Sequence, residues 1–205
     1  CVHGQTVFHK PPLSWQLMNP AVIAHGLGCD VVCDLRAADL AAGGQGAPIT
    51  PIADAVWFGG IDKACGVVNL GGFCNVTRLG SGKVEWAGDV CVCNLLLDAI
   101  AREVLGVAMD VDGAIARSGV VHAGAAGDLR RRLHDPARRG RSLGTGDEVF
   151  EWMCAWKGRL TGADVAASAA EAIAATIAAG LRGAELVLLA GGGAYNLALV
   201  EALRR

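Results

Sequence analysis

The chain has 205 residues, 53% of them hydrophobic and 19% charged, with a formal net charge of −2. So apolar a composition supplies a sizeable core and excludes a disordered chain. The near-neutral balance excludes a bulk basic field of the kind that holds nucleic acid.

In chain order, residues 13–28 (LSWQLMNPAVIAHGLG) predict a short strand and then a helix from Asn19-Pro20. Asn is a good N-cap and Pro suits the first helical position. DVVCDL (30–35) predicts a short strand, RAADLAAGGQGAP (36–48) a glycine-rich loop, and PIADAVWFG (51–59) a helix. ACGVVNLGG (64–72) reads as a buried strand ending in glycines. FCNVTRL (73–79) reads as a second strand, GSGK (80–83) as a hairpin turn and VEWAG (84–88) as a third strand. NLLLDAIAREVLG (94–106) predicts a helix capped by Asn94 and stopped at Gly106. VFEWMCAWKGRL (149–160) predicts another, and DVAASAAEAIAATIAAGL (164–181) a strong alanine-rich one. AELVLLAGGG (184–193) predicts a buried strand and AYNLALVEAL (194–203) a helix. Such an order predicts a mixed sheet with helices on its faces, an α/β fold. The expected hinge is GGID (59–62), dividing the chain into 1–60 and 61–205.

The one basic run, LRRRLHDPARRGR (129–141), reads as a solvated helix end and loop. No aromatic residue interleaves with its arginines as base stacking would need. Eight cysteines stand at 1, 29, 33, 65, 74, 91, 93 and 154; none forms CxxC, and CVC (91–93) is too tight for a zinc knuckle. Scattered through apolar runs, they fit small buried residues in a reducing compartment. No stretch of about 18 apolar residues is free of charges and glycine clusters, so no membrane span is expected. Nothing at the N-terminus reads as a signal peptide. The expected setting is the cytoplasm.

Two strands end in glycines, VVNLGG (67–72) and LVLLAGGG (186–193). In α/β sheets ligands bind beyond the carboxyl ends of strands. Glycine lets backbone N–H groups approach a phosphate, and a following helix adds positive potential. Ordinary tight turns explain one such feature better than a ligand does; for two after apolar strands, the readings are even. Neither is a P-loop or a Rossmann fingerprint. Asp89, in GDVCVCN (88–94), is well placed as a general base if it faces that pocket, and as a helix-cap aspartate if it does not.

Taken together, HGQTVFH (3–9), DLRAADLAAGGQGAP (34–48), NLGGFCNV (69–76), GDVCVCNLLLDA (88–99), MDVDGAIARSG (109–119), GTGDEVF (144–150) and GGGAYN (191–196) resemble the anhydro-N-acetylmuramic acid kinase family. HGQTVxH with DxRxxDxAxGGQGAP is the specific combination; GGG or DVDG alone would be weak, and DVDG lacks the later ligands of a calcium loop. The resemblance implies the actin-like, sugar-kinase ATPase (ribonuclease H-like) fold, with one near-complete lobe from residue 61 and part of the sugar-side lobe before it. It implies a kinase using ATP and Mg²⁺. The substrate would be 1,6-anhydro-N-acetylmuramic acid, opened by water and phosphorylated to N-acetylmuramic acid 6-phosphate in cell-wall recycling. No nucleic acid or membrane partner is implied; a homodimer is compatible.

By the same resemblance Asp89 activates the water. Gly71, Gly72, Asn75, Gly191, Gly192, Gly193 and Asn196 hold the nucleotide. His3, Gln5, Thr6, Arg36, Asp39, Gly43, Gly44 and Gln45, with Asn94, shape the sugar side, and no protein metal ligand is assigned. Arg36 suits the lactyl carboxylate of the sugar, or equally a salt bridge to Asp39. The family's opening glycine-rich phosphate motif and its closing segment have no counterpart here. Its D-x-G-P-G-N reads DVCVCN, and its P-K-S-T-G-R-E-x-F reads SLGTGDEVF. The alternative is therefore a non-catalytic remnant that binds nucleotide or sugar, and the chain alone is expected to turn over weakly or not at all. A hydrolase on the same fold is disfavoured by HGQTVxH and GGQGAP.

Overall fold

The computed structural model describes residues 1–133 and 147–205. The basic run beyond residue 133 and the start of GTGDEVF (144–150) lie outside the described residues. The chain divides into two units, Cys1–Thr50 and Pro51–Arg205, so the division falls ahead of GGID (59–62).

In the first unit β1 (Gln5–Lys10) and β2 (Leu13–Leu17) form an antiparallel hairpin. Helix α1 (Pro20–Leu27) starts as its sequence predicts: the Asn19 side chain accepts from Val22 N, and Gly28 closes the helix at φ 62°. The expected strand at 30–35 is absent. Asp34 turns into the left-handed region at φ 53°, and α2 (Leu35–Ala41) follows. The expected loop over 36–48 therefore begins as helix, because Leu, Arg and Ala are strong helix formers. Of the unit's hydrophobic side chains only Leu40 is buried.

In the second unit, α3 (Pro51–Phe58) precedes the antiparallel strands β3 (Cys65–Leu70), β4 (Phe73–Gly80) and β5 (Lys83–Val92). The β4–β5 turn is Ser81-Gly82, both at positive φ (50° and 75°), as a tight primed turn requires. β5 runs well past its expected end at residue 88. Strand β6 (Leu186–Ala190) adds to β3 in parallel, giving the order β5-β4-β3-β6. β6 is thus an edge strand, and Val187 is exposed rather than buried as its apolar run predicts.

Successive side chains of a strand point to opposite faces. One face carries Val68, Leu70, Cys74, Val76 and Cys91 into the main core, with Leu96, Ile100, Trp152, Ile173 and Ile177. Helix α4 (Asn94–Ile100) continues as a π turn (Ala101–Leu105) ended by Gly106. Its cap position is Cys93, not Asn94 as expected. Asp110 of the DVDG segment accepts from Ile115 N and Ala116 N, so it caps α5 (Ala114–Ser118). Helices α6 (Ala123–Leu133) and α7 (Asp147–Trp156) are joined by the Trp152 indole, which donates to Ala125 O. Near the end of α6, exposed Arg131 pairs with Asp128, and half-buried Arg132 pairs with Asp128 and Glu151.

Helix α8 (Gly162–Gly180) is long and apolar enough to cross a membrane. Its Val165, Ala169, Ile173 and Ile177 form one stripe that is fully buried in this core. Helix α9 (Leu197–Leu203) closes the chain. The other face of the sheet carries Cys65, Val67 and Leu79 against Ala55 and Phe58 of α3. Thr77 on that face donates to Asp54 Oδ2 at 2.7 Å.

Candidate active site

Strands β3 and β6 are parallel and end at Leu70 and Ala190, while Phe73, opening β4, pairs with Val92, closing β5. One end of the sheet therefore collects Gly71-Gly72, Gly191–Gly193 and the β5–α4 junction at Asn94. The sheet topology makes the two glycine exits neighbours although more than a hundred residues separate them in the chain.

A polar row crosses the sheet just inside these exits. Ala190 pairs with Asn69, Asn69 with Asn75, and Asn75 with Asp89. Paired residues share a face, so Asn69, Asn75 and Asp89 continue the surface that α3 covers lower down with Cys65, Val67 and Leu79. Asp89 belongs to β5; it does not follow the strand, as the sequence reading places it. The pairing passes from Cys74↔Cys91 to Asn75↔Asp89, leaving Val90 as the extra residue of a β-bulge. Without that bulge residue 90 would oppose Asn75. Bulges re-aim side chains in this way beside active sites. All three polar side chains are half-buried.

The glycines have two different causes. Gly191 has φ 84°, and a Cβ there would lie 2.6 Å from Asn69 Oδ1 and 2.8 Å from Leu70 O. A Cβ on buried Gly193 would lie 2.8 Å from both Asn94 Oδ1 and Leu70 Cβ. These two are glycines because the backbone packs against the end of β3. Gly192 differs: it is exposed, and a Cβ would meet only Asn94 Nδ2 at 3.7 Å. It opens a 3₁₀ turn (Gly192–Tyr195), whose leading N–H groups have no partner within the turn.

Asn94 locks the exit together. Its Nδ2 donates to Leu70 O at 2.9 Å, and its backbone N–H donates to Gly71 O at 3.0 Å. Cys93 N and Leu95 N both donate to Gly72 O. Asn196 is committed to its own helix, its Oδ1 accepting from Leu199 N to cap α9. Cys74, Cys91 and Cys93 pack into the core on the face opposite the polar row. Burial pushes the Cys91 thiol well up and the Cys93 thiol to about 12. They therefore stay protonated and are not nucleophiles.

The residues expected on the sugar side lie in the first unit, apart from Asn94. Gln16 Nε2 donates to His3 Nε2 at 2.7 Å and reaches Thr6 Oγ1 at 3.4 Å. Gln5 opens β1, and Arg36 sits in the first turn of α2. Asp39 Oδ2 accepts from Gly46 N at 2.6 Å, so this carboxylate holds the Gly43–Gly46 loop, with Gly44 and Gln45, against α2. Among the described residues no three acidic, His or Cys side chains converge as a metal cage.

Sequence reading overlooked Asn69. Its signal was the register: folding the hairpin about Gly71-Gly72 sets Asn69 against Asn75.

The chain matches the sequence model of the anhydro-N-acetylmuramic acid kinase family across residues 1–205. It is 40% identical to the anhydro-N-acetylmuramic acid kinase of Acidiphilium cryptum over 99% of this chain and 58% of that protein. It is 39% identical to the one from Pseudomonas paraeruginosa, over 98% and 58%. The chain thus spans under three-fifths of the length of these curated relatives. Two solved structures are similar at a TM-score of 0.51. Component A of (R)-2-hydroxyglutaryl-CoA dehydratase from Acidaminococcus fermentans is 16% identical, over 89% of this chain and 61% of that one. The activator of 2-hydroxyisocaproyl-CoA dehydratase from Clostridium difficile, solved with bound ADPNP, is 18% identical, over 77% and 56%. At such identities these structures show the fold alone, an actin-like α/β ATPase architecture.

Proposed function

The chain belongs to the anhydro-N-acetylmuramic acid kinase family, and on that premise we propose that it supplies the nucleotide and general-base side of a cytoplasmic sugar kinase. The carrying observation is the row in which Asp89 faces Asn75 beside two glycine exits. ATP lies across those exits, with the N–H groups of Gly71, Gly72 and Gly192 toward its phosphates and Asn75 beside them. Gly191 and Gly193 keep the second exit close to β3.

Asp89 accepts a proton from water as the water oxygen bonds to the anomeric carbon of 1,6-anhydro-N-acetylmuramic acid. The anhydro C–O bond breaks, and the released oxygen takes the γ-phosphoryl group, leaving ADP. Any Mg²⁺ would be carried in by the nucleotide's phosphates, since among the described residues no cluster of acidic, His or Cys side chains stands ready to hold it. Such an ion neutralises phosphate charge. The first unit carries His3, Gln5, Thr6, Arg36 and the Gly43–Gly46 loop as the candidate sugar-binding groups, with Asp39 bracing that loop.

A second reading, binding without turnover, is favoured by Cys91 and Cys93, which stand where the family motif has glycines. One experiment separates the two. The complete kinase form is incubated with ATP, anhydro-sugar and ¹⁸O-labelled water, and the sugar phosphate is weighed by mass spectrometry. Label at the anomeric position with ADP release is the expected result. Nucleotide binding with no sugar phosphate would leave the binding reading, and neither would overturn both.

A further inference from the structure

We propose that Asp54 and Thr77 are a positioning pair that fixes the helix tethering the candidate sugar-binding groups, a role that rests on the kinase reading above. The chain passes from the first unit into the second at Thr50-Pro51, so α3 (Pro51–Phe58) is the helix to which the first unit is joined. The far end of α3 is held by backbone packing: a Cβ on Gly59 would lie 3.0 Å from Gly82 O in the β4–β5 turn. At the near end Ile52 is 78% exposed. One turn in from Pro51, the Asp54 carboxylate accepts from Thr77 Oγ1 at 2.7 Å.

Packing alone does not explain this pair. Ala55 and Phe58 already seat α3 on Cys65, Val67 and Leu79. An apolar contact tolerates sliding, whereas a hydrogen bond is directional and fixes the register of the helix. Thr77 is 3% exposed, so its hydroxyl needs a partner inside the protein. Asp54 is half-buried over the same spot; burial and, after it, the Asp54 carboxylate push the Cys65 thiol up. Thr77 stands two residues along β4 from Asn75, on the face that carries Asp89. The pair therefore ties the connecting helix to the strand that sets the polar row. Freedom gained by α3 passes to the groups tethered to it, and a misplacement of about 1 Å in a bound reactant can cost about 10²-fold in rate.

The test is steady-state kinetics of the complete kinase form, with ATP affinity read by calorimetry and amide exchange over residues 51–58 read by mass spectrometry. Asp54→Ala and Thr77→Val should each lower kcat/KM for the anhydro-sugar about tenfold or more. ATP affinity should stay unchanged, and faster exchange should be confined to α3. Asp54→Asn keeps an acceptor oxygen and Thr77→Ser keeps the hydroxyl donor, so both should restore most of the loss. Unchanged kcat/KM for the sugar in Asp54→Ala and Thr77→Val would overturn the role while leaving the kinase reading intact. Equal losses of sugar turnover and ATP affinity that follow a lowered unfolding midpoint would mark the pair as structural and also overturn it. If the unsubstituted enzyme forms no sugar phosphate, the kinase reading fails and this role with it.

Discussion

Asn75 on β4 lies directly opposite Asp89 on β5 because the bulge at Val90 shifts the pairing there by one residue. That shift turns the carboxylate to the face that also carries Asn69, and leaves Cys74 and Cys91 facing each other across the same two strands on the core side. The cysteines that replace the family's glycines therefore fill the interior and do not occupy the polar row.

Asp89→Asn removes the proton acceptor while keeping shape and size. Nucleotide affinity and the unfolding midpoint should hold. Sugar-phosphate formation by the complete kinase form should fall about 10²–10⁴-fold, the usual worth of a positioned base. Steady-state kinetics beside calorimetry tests this, and unchanged turnover removes the assignment.

Substitution along Gly191–Gly193 should separate packing from ligand contact. Gly191→Ala places a Cβ at φ 84° against Asn69 and Leu70, and should cost about 1–3 kcal/mol in urea unfolding. Gly192→Ala makes only an ordinary contact, with Asn94 Nδ2 at 3.7 Å, and carries no positive φ. It should leave stability within about 0.5 kcal/mol and weaken ATP. Equal stability losses in both would refute the distinction.

Asn94→Ala deletes the donor to Leu70 O and leaves that carbonyl short of a partner. The expected cost is about 1–3 kcal/mol, seen as a lowered thermal midpoint. Asn94→Asp also loses the donor and should fall in the same range. A stable Asn94→Ala variant would show that the strand-to-helix lock is not set by this side chain.

The thiols divide by position. Cys1, Cys29 and Cys154 are exposed and Cys33 is half-buried, whereas Cys65, Cys74, Cys91 and Cys93 are buried. A thiol-reactive dye should label the first three at once and the buried four only on unfolding. Burial raises the folded thiol values above their ordinary 9.0, Cys93 to about 12. The unfolded chain thus loses these protons first as pH rises. The stability they contribute is complete below pH 9 and declines from there toward pH 12. Urea midpoints for the parent chain and Cys91→Ala across that range should show a shallower decline in the variant.

Sequence alone determined those elements whose signal is local. The Asn19-Pro20 start of α1, the Ser81-Gly82 turn, the alanine-rich helix α8 and the strands flanking Gly71-Gly72 each follow from a few neighbouring residues. The family motifs are likewise linear strings. Misreadings arose where two local signals competed. Val31 and Val32 suggested a strand, but the turn at Asp34 and the helix formers after it prevailed.

Tertiary structure decided what depends on a neighbour. An apolar run such as LVLLA (186–190) reads as buried, yet β6 has one strand beside it and stands at the edge. Whether Asp89 ends a strand or projects from one depends on which residue of β4 opposes it. Likewise Gly191 and Gly193 are small because β3 and Asn94 press on them from distant parts of the chain. Side-chain direction in a sheet has a period of two, so a single bulged residue reverses it. No local pattern around Val90 announces that bulge, and only the pairing of β4 with β5 creates it.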